Sequence, residues 1–414
     1  MSNLNYIDIF AGAGGLSEGF MNYGFNAIAH IEMNEDACLT LKTRLCYYYL
    51  KKHNRVSDYY KYLRGEINRD ELYAMVPRSV LDTVINDTLS EERMHLVYDK
   101  IDKLMKQQNI KHVDVLVGGP PCQAYSLVGR ARKTKENKMI GDPRNFLYKL
   151  YCRVLVKYKP KVFVFENVPG LLTANEGKYF ADMQKEFRLA GYNLDYRILN
   201  ASDFGVLQNR RRVILIGWQK HLNYKYPEFN AISGEFAVND IFTDLHPLQA
   251  GESNNRYITK PTKYLKWSGI RDENDVLTWH VARPNIERDR EIYRNVIHAW
   301  DTEKKRMKYT DLPEELCTHK NRTAFLDRFK VVAGDLPVSH TLVAHISKDG
   351  HYFIHPDYKQ ARSISVREAA RIQSFPDNYY FEGSRTAAFV QIGNAVPPLM
   401  ASGIALTLKK EVLK

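Results

Sequence analysis

Cys122 stands in Gly118-Gly119-Pro120-Pro121-Cys122-Gln123, directly after the apolar run 113–117. The two prolines stiffen the turn, and the two glycines leave space around the sulfur. A free cysteine is ordinarily a small buried hydrophobe. On a stiff loop that follows a strand it reads instead as a nucleophile acting through its thiolate. The next apolar run, 162–165, leads into Glu166-Asn167-Val168-Pro169, which brings a carboxyl group to the same sheet edge. Gln208-Asn209-Arg210-Arg211-Arg212 then opens a further run at 213–218. Three consecutive arginines are commonly a solvated surface; facing the same cleft, they would clamp a phosphate and a base.

A second group of residues suits a nucleotide-like cofactor. Asp8-Ile9-Phe10-Ala11-Gly12-Ala13-Gly14-Gly15 ends the first apolar run and enters a helical pattern. Glycines there let the main chain approach a ligand where a Cβ would collide. Glu32 lies 20 residues beyond Gly12 (32 − 12), where a carboxylate in a βαβ unit reaches two ribose hydroxyls. A dinucleotide site shares this local logic, so the segment alone leaves a dehydrogenase open. The strict G-x-G-x-x-G nevertheless fails, because Ser17 occupies its third glycine position. Asp87-Thr88 follows the third run, where Asp87 is expected either to accept from an adenine amino group or to cap a helix.

These groups need a scaffold that gathers them. Seven short apolar runs, at 6–10, 27–32, 83–86, 113–117, 162–165, 194–199 and 213–218, alternate with helix-like connections. The pattern predicts an α/β fold, a doubly wound and mostly parallel sheet with helices on both faces. Ligands then bind beyond the carboxyl ends of the strands. The long connection 40–82 reads as helix, and its seven tyrosines read as packing residues. From 219 to 361 the periodicity fades, with a hairpin predicted around Lys348-Asp349-Gly350. Helices are expected over 365–373 and 401–414. The division this suggests is a catalytic, cofactor-binding unit, 1–218 plus 386–414, and a smaller irregular unit, 219–385.

Lys and Arg outnumber Asp and Glu by 60 to 48, and the net charge of +12 suits a polyanionic partner. Five cysteines without a Cys-x-x-Cys pair argue against a disulfide scaffold and for a reducing cytoplasm. No signal pattern opens the chain, and no apolar run approaches the ~18 residues of a membrane helix. A cytoplasmic protein with no membrane association is expected. His340, His345, His351 and His355 lack the spacing of zinc ligands, so no metal is expected.

Taken together, the motifs resemble the C5-cytosine DNA methyltransferases, typically the modification enzymes of bacterial restriction–modification systems. The resemblance rests on Phe10–Gly15, Glu32, Asp87, Pro-Pro-Cys-Gln at 120–123, Glu-Asn-Val at 166–168 and Gln-x-Arg-x-Arg at 208–212. It continues through Arg367-Glu368-Ala369-Ala370-Arg371-Ile372-Gln373-Ser374-Phe375-Pro376 and Gln391-Ile392-Gly393-Asn394-Ala395-Val396-Pro397-Pro398, so it spans nearly the whole chain in order. It implies a Rossmann-like class I methyltransferase with a target-recognition domain, S-adenosyl-methionine as cofactor, and double-stranded DNA as partner. Cys122 would be the nucleophile, Glu166 its partner on the base, and Arg212 and Arg210 contacts to an extruded cytosine. Phe10, Ala11, Gly12, Gly14, Gly15, Glu32, Met33, Asp87, Thr88, Pro120, Leu147, Asn394 and Val396 would line the cofactor pocket. Met33 replaces a commoner aromatic, and the residues flanking Leu147 depart from the family's Arg-Gly-Thr-Leu.

The resemblance also implies base flipping, because carbon 5 of a stacked cytosine is out of reach. Arg130, Arg132, Lys133, Lys135 and Lys138 make 124–140 a basic closing loop. Gln123, Ser126, Arg130, Arg132 and Thr341 are its expected DNA contacts. A monomeric bacterial or phage-encoded enzyme is expected, with a companion restriction endonuclease acting on the same site. The rival readings are a tRNA cytosine-5 methyltransferase of the same fold and a catalytically silent DNA-binding protein. Exocyclic-amino methylation fits less well, since that chemistry commonly uses an Asp/Asn-Pro-Pro-Tyr/Phe loop and no cysteine.

Overall fold

The computed structural model describes residues 4–121, 146–232, 234–323 and 325–413. All seven apolar runs form strands of one sheet: β1 (Asn5–Ile9), β2 (Asn26–Glu32), β3 (Val84–Asn86), β4 (Val115–Gly118), β5 (Val162–Asn167), β6 (Tyr192–Asn200) and β7 (Arg211–Gln219). Their order is β3-β2-β1-β4-β5-β7-β6, with β1 to β5 parallel and β7 antiparallel to both its neighbours. The Val-, Ile- and Phe-rich central strands are buried on both faces, as parallel strands require. β3 and β6 are the edge strands, and the exposed positions of β6 carry Asn193, Arg197 and Ile198.

Helices Gly15–Asn22 and Pro398–Thr407 cover one face of the sheet through Phe20, Met400 and Ile404 against Tyr6, Val115, Val164 and Ile216. Helices Met94–Gln107, Leu147–Tyr158 and Lys178–Leu189 cover the other, against Ile7, Leu116, Phe163 and Phe165. The strand order reverses between β1 and β4, which opens a crevice at their carboxyl ends. Register then aligns the functional loops: Ile9 pairs with Gly118, Gly118 with Phe165, and Glu32 with Asn86.

Three expectations about the scaffold are corrected. The 40–82 connection is not one helix but the end of Glu35–Lys52 followed by Val56–Leu63, Arg69–Ala74 and Arg78–Leu81. Its tyrosines do pack: Tyr59 is buried and donates to the Asn378 carbonyl, while Tyr60 donates to Asp275 and Tyr62 to Glu382. The hairpin at 348–350 does not form. The main chain of 351–354 finds its partners at Lys330 and Val332 and at Ile364, leaving none for 342–346. Finally, the stretch Arg385–Val412 is long and apolar enough to cross a membrane, contrary to the reading of the sequence. Two-thirds of its most apolar window is buried in the protein (67%), and a turn at Ala395 to Pro397 interrupts it, so it is a core element.

One hydrophobic cluster joins Ala13 and Leu207 to Val238, Ile241, Tyr264, Ile364, Ile372, Phe375, Ile392 and Ala395. It crosses the sequence-drawn boundary at 386. A separate cluster around Tyr293, Ile297, Tyr309 and Phe329 holds the long helix Glu287–Glu303.

Burial drives His30 and His340 down to about 4 and His355 down to about 3, so all three fold neutral. Their folded values lie below the unfolded value near 6.5, so the unfolded chain takes up protons first as pH falls. Asp8 acts oppositely, since burial lifts it to about 7. Burial also lowers His280 and His351 and raises Asp275, so five depressed imidazoles stand against two raised carboxyls and acidification is destabilising. The melting temperature should therefore fall by several degrees between pH 7 and 5, and a His30→Gln chain should show a shallower slope. A flat profile by differential scanning calorimetry would contradict this.

Candidate active site

The cofactor loop begins where β1 ends. Phe10 adopts φ 58°, a conformation uncommon for a non-glycine residue and typical of functional turns. Gly12 and Gly14 follow with φ 54° and 80°, where any Cβ would be strained. The Gly12 amide donates to Glu32 Oε2 at 2.8 Å and the Asn34 amide to Oε1 at 2.8 Å. Two main-chain donors thereby fix the orientation of the half-buried Glu32 carboxylate. A Cβ on Gly15 would lie 2.2 Å from the Val396 carbonyl oxygen, so only glycine lets the 394–396 turn close against the loop. In this way β1, β2 and the turn after helix Arg385–Asn394 bring Phe10, Ala11, Gly12, Gly14, Gly15, Glu32, Asn394 and Val396 together. Asn394 is exposed there, and Met33 is 66% exposed beside Glu32.

Two contacts that support this loop were not expected from the sequence. Ser17 Oγ donates to Asp8 Oδ2 at 2.5 Å beneath the loop, which is the work done at the position of the missing third glycine. The Tyr379 hydroxyl donates to the Ala13 carbonyl, and the Arg44 guanidinium lies 4.8 Å from the Tyr379 ring centre. Both are fully internal contacts, visible only once the chain is folded.

Asp87 is held among cations, and of its two expected roles the helix cap is not met. Its carboxylate accepts from Arg93 through Nε and Nη2, from Lys100 Nζ at 2.8 Å, and from the Thr88 amide at 2.8 Å. The Arg93 guanidinium, with Lys100, holds it well below the usual carboxylate range. It caps no helix, since the next one begins at Met94. An adenine amino group would have to compete with two cations for these oxygens.

The second half of the site lies at the ends of β4 and β5. Arg212 Nε meets Glu166 Oε1 at 2.7 Å, and both side chains are largely buried. A Cβ on Gly119 would stand 2.5 Å from Glu166 Oε2, so the bare glycine is what seats that carboxylate against the loop. Asn167 Nδ2 donates to the Pro120 carbonyl at 3.2 Å, which ties the loop after β4 to β5. Phe10 and Leu147 pack on the same core cluster from the cofactor side. Thr341 Oγ1 donates to the Asn209 carbonyl at 2.6 Å, two residues from the Arg210–Arg212 segment's exposed middle, Arg211. Cys122, Gln123, Ser126, Arg130 and Arg132 lie outside the described residues.

Arg210 is a correction. Its side chain is 1% exposed, and its guanidinium donates to the carbonyls of Leu342, Gly393 and Ala395 at 2.6, 3.2 and 2.9 Å. A side chain engaged on three main-chain carbonyls holds the fold and does not reach for a base. Arg210 precedes β7 and Arg212 lies within it, and of the two it is Arg212 that meets a carboxylate at the crevice. Among the predicted histidines, His340 contacts the Tyr352 carbonyl, His351 pairs with the Tyr293 hydroxyl at 2.8 Å, and His355 lies 3.6 Å from Glu368. Each has its own partner.

The geometry makes one prediction about the cofactor half. A Glu32→Gln chain keeps the shape but loses one of two charged acceptors, both for the loop amides and for any ribose. Removing a charge-assisted pair costs about 1.5–3 kcal/mol, which is roughly 10- to 150-fold in affinity. Titration calorimetry with S-adenosyl-homocysteine checks this; an unchanged affinity would remove Glu32 from the pocket.

The family model for the C-5 cytosine-specific DNA methylase matches residues 4–77 and 69–410 of the chain. Among curated proteins, the type II methyltransferase M.Bpa9945I of Bacillus paralicheniformis is 43% identical, over 97% of this chain and 98% of its own. M.XorII of Xanthomonas oryzae is 31% identical over 99% and 85%, and M1.HphI of Haemophilus parahaemolyticus 30% over 99% and 87%. Among solved structures, a prophage-encoded DNA modification methyltransferase from E. coli superposes with a TM-score of 0.67 at 22% identity, each chain fully covered. That last likeness concerns the fold: the same mixed sheet with a Rossmann-like core.

Proposed function

Because the chain belongs to the C-5 cytosine-specific DNA methylase family, and is a DNA (cytosine-5-)-methyltransferase of the type II restriction–modification kind, we propose that it methylates a flipped cytosine with S-adenosyl-methionine through a covalent Cys122 adduct. The observation that carries this reading is the convergence of Glu166, Arg212, the Gly119 loop and the Glu32-anchored glycine loop on one sheet edge. The residues present fit the cofactor: a glycine loop with no atom within 4 Å of a Gly12 Cβ, and a carboxylate aimed by two amides. When bound, the cofactor supplies an electrophilic methyl group.

The chain's own residues supply the rest. Carbon 5 of cytosine is a poor nucleophile. The Cys122 thiolate adds to carbon 6, and the displaced electron pair makes an enamine nucleophilic at carbon 5. Glu166, protonated when productive, donates to ring nitrogen 3 and absorbs the developing charge. Arg212 orients Glu166 and contacts the extruded base. After methylation, loss of the carbon 5 proton drives out the thiolate and restores the ring. A stacked base cannot enter such a crevice, so the nucleotide must leave the duplex.

The segment 219–385 is proposed to read bases in the major groove, with Thr341 on the nucleotide backbone and Gln123, Ser126, Arg130 and Arg132 closing over it. The proposed role is protection of cytoplasmic DNA against a companion endonuclease, exercised as a monomer. Bisulfite sequencing of DNA from cells expressing the chain tests the proposal. A modified cytosine in one fixed context is expected; uniform conversion of every cytosine would overturn it.

A further inference from the structure

Three fully buried side chains form a closed ring between the two halves of the site. Gln208 Oε1 accepts from the Leu342 amide at 2.8 Å, and Gln208 Nε2 donates to Gln373 Oε1 at 2.8 Å. Gln373 Nε2 in turn donates to the Ile392 carbonyl at 2.8 Å. Arg210 closes the ring, with Nη1 on the Leu342 carbonyl and Nη2 on those of Gly393 and Ala395. Gln208, Arg210 and Gln373 are each no more than 1% exposed.

What the ring joins is specific. On one side is the 341–342 segment, where Thr341 holds the Asn209 carbonyl and Arg212 holds Glu166. On the other is the 393–396 turn that closes on the cofactor loop at Gly15. The two sides also touch directly, since a Cβ on Gly393 would stand 2.3 Å from the Ala344 amide nitrogen. A displacement of the cofactor-side turn therefore cannot be absorbed locally. It moves two carbonyls of the same guanidinium that grips Leu342.

Building on the methyl-transfer reading, we propose that Arg210 is a positioning residue that couples cofactor occupancy to the DNA clamp. Filling the cofactor pocket fixes the 393–396 turn, and Arg210 transmits that setting to Thr341-Leu342 and to Arg212. Coupling of this kind is reciprocal, so DNA tightens cofactor binding by the same factor.

The test measures that factor in the full chain. Affinity for a fluorescent duplex carrying the mapped site is measured with and without saturating S-adenosyl-homocysteine. The wild type should bind the duplex at least about 10-fold more tightly with the product present. Arg210→Lys keeps the charge but cannot bridge carbonyls on both sides, so its factor should fall below about 3-fold while each separate affinity shifts less. A ring that only stabilises the fold would lower the melting temperature and leave the ratio intact. That result, or a wild type without coupling, would overturn the proposal. Gln373→Met, which opens the other arc at similar volume, serves if the lysine variant does not fold, and a wild-type factor there would count equally against it. Failure of the methyl-transfer reading would look different, as a wild type that binds neither ligand.

Discussion

A Cys122→Ser chain should bind the duplex with nearly wild-type affinity and transfer no measurable methyl group, a loss of at least about 10⁴-fold in single-turnover rate. The size of the loss follows from the nucleophile's chemistry. A thiol near its ordinary value is already a few per cent thiolate at neutral pH, and proximity to positive charge raises that share. A serine hydroxyl is almost wholly protonated at neutral pH and is a far weaker nucleophile than a thiolate. Without addition at carbon 6, the ring has no enamine, and carbon 5 stays unreactive however well the methyl group is placed. Binding rests on other residues, so it should survive. Two measurements separate the cases. Duplex carrying 5-fluorocytosine should trap the wild type as a denaturant-stable adduct that mass spectrometry maps to Cys122, and the serine chain should form none. Appreciable turnover by Cys122→Ser would end the covalent scheme.

How far the sequence foretold this molecule depends on which interactions set each feature. The seven strands were legible because runs of strand length, several of them rich in Val and Ile, alternate with helix-like connections, the pattern of a mostly parallel sheet whose central strands are buried. The crevice followed, since parallel order places Gly118, Glu166 and Glu32 at one edge. Arg210 was not legible. It shares a motif with Arg212 and stands just before β7, yet Arg212 meets a carboxylate and Arg210 three carbonyls contributed by residues 342, 393 and 395. Separations of 132 to 185 residues leave no local trace. The partners of Asp87 were not legible for a different reason: Arg93 and Lys100 lie nearby in the chain, but nothing in the sequence says which acid they face. The hairpin at 348–350 was a turn signal overridden by tertiary pairing with 330–332. Between 219 and 361, short aperiodic segments are held by buried ion pairs such as Arg371–Asp244 and Arg271–Asp244, whose partners periodicity cannot name.

Glu166→Gln is the substitution that divides positioning from proton donation. The amide is nearly the same size, so Gly119 should still accommodate it, and a Gln oxygen can still accept from Arg212. What disappears is the acidic proton offered to ring nitrogen 3. Loss of a general acid costs about 10²- to 10⁴-fold, and the chemical step should slow by that factor. Part of the loss has a second source: Arg212 is mostly buried, and neutralising its partner leaves a cation without a counter-charge. The two contributions separate by a second substitution. If proton donation dominates, an Arg212→Lys chain, which keeps a cation beside Glu166, is slowed much less than Glu166→Gln. If only the ion pair matters, Arg212→Lys is slowed as severely as Glu166→Gln. Rapid-quench single-turnover measurements on both chains decide between them. A glutamine chain with the wild-type rate would remove Glu166 from the mechanism and leave the crevice without its acid.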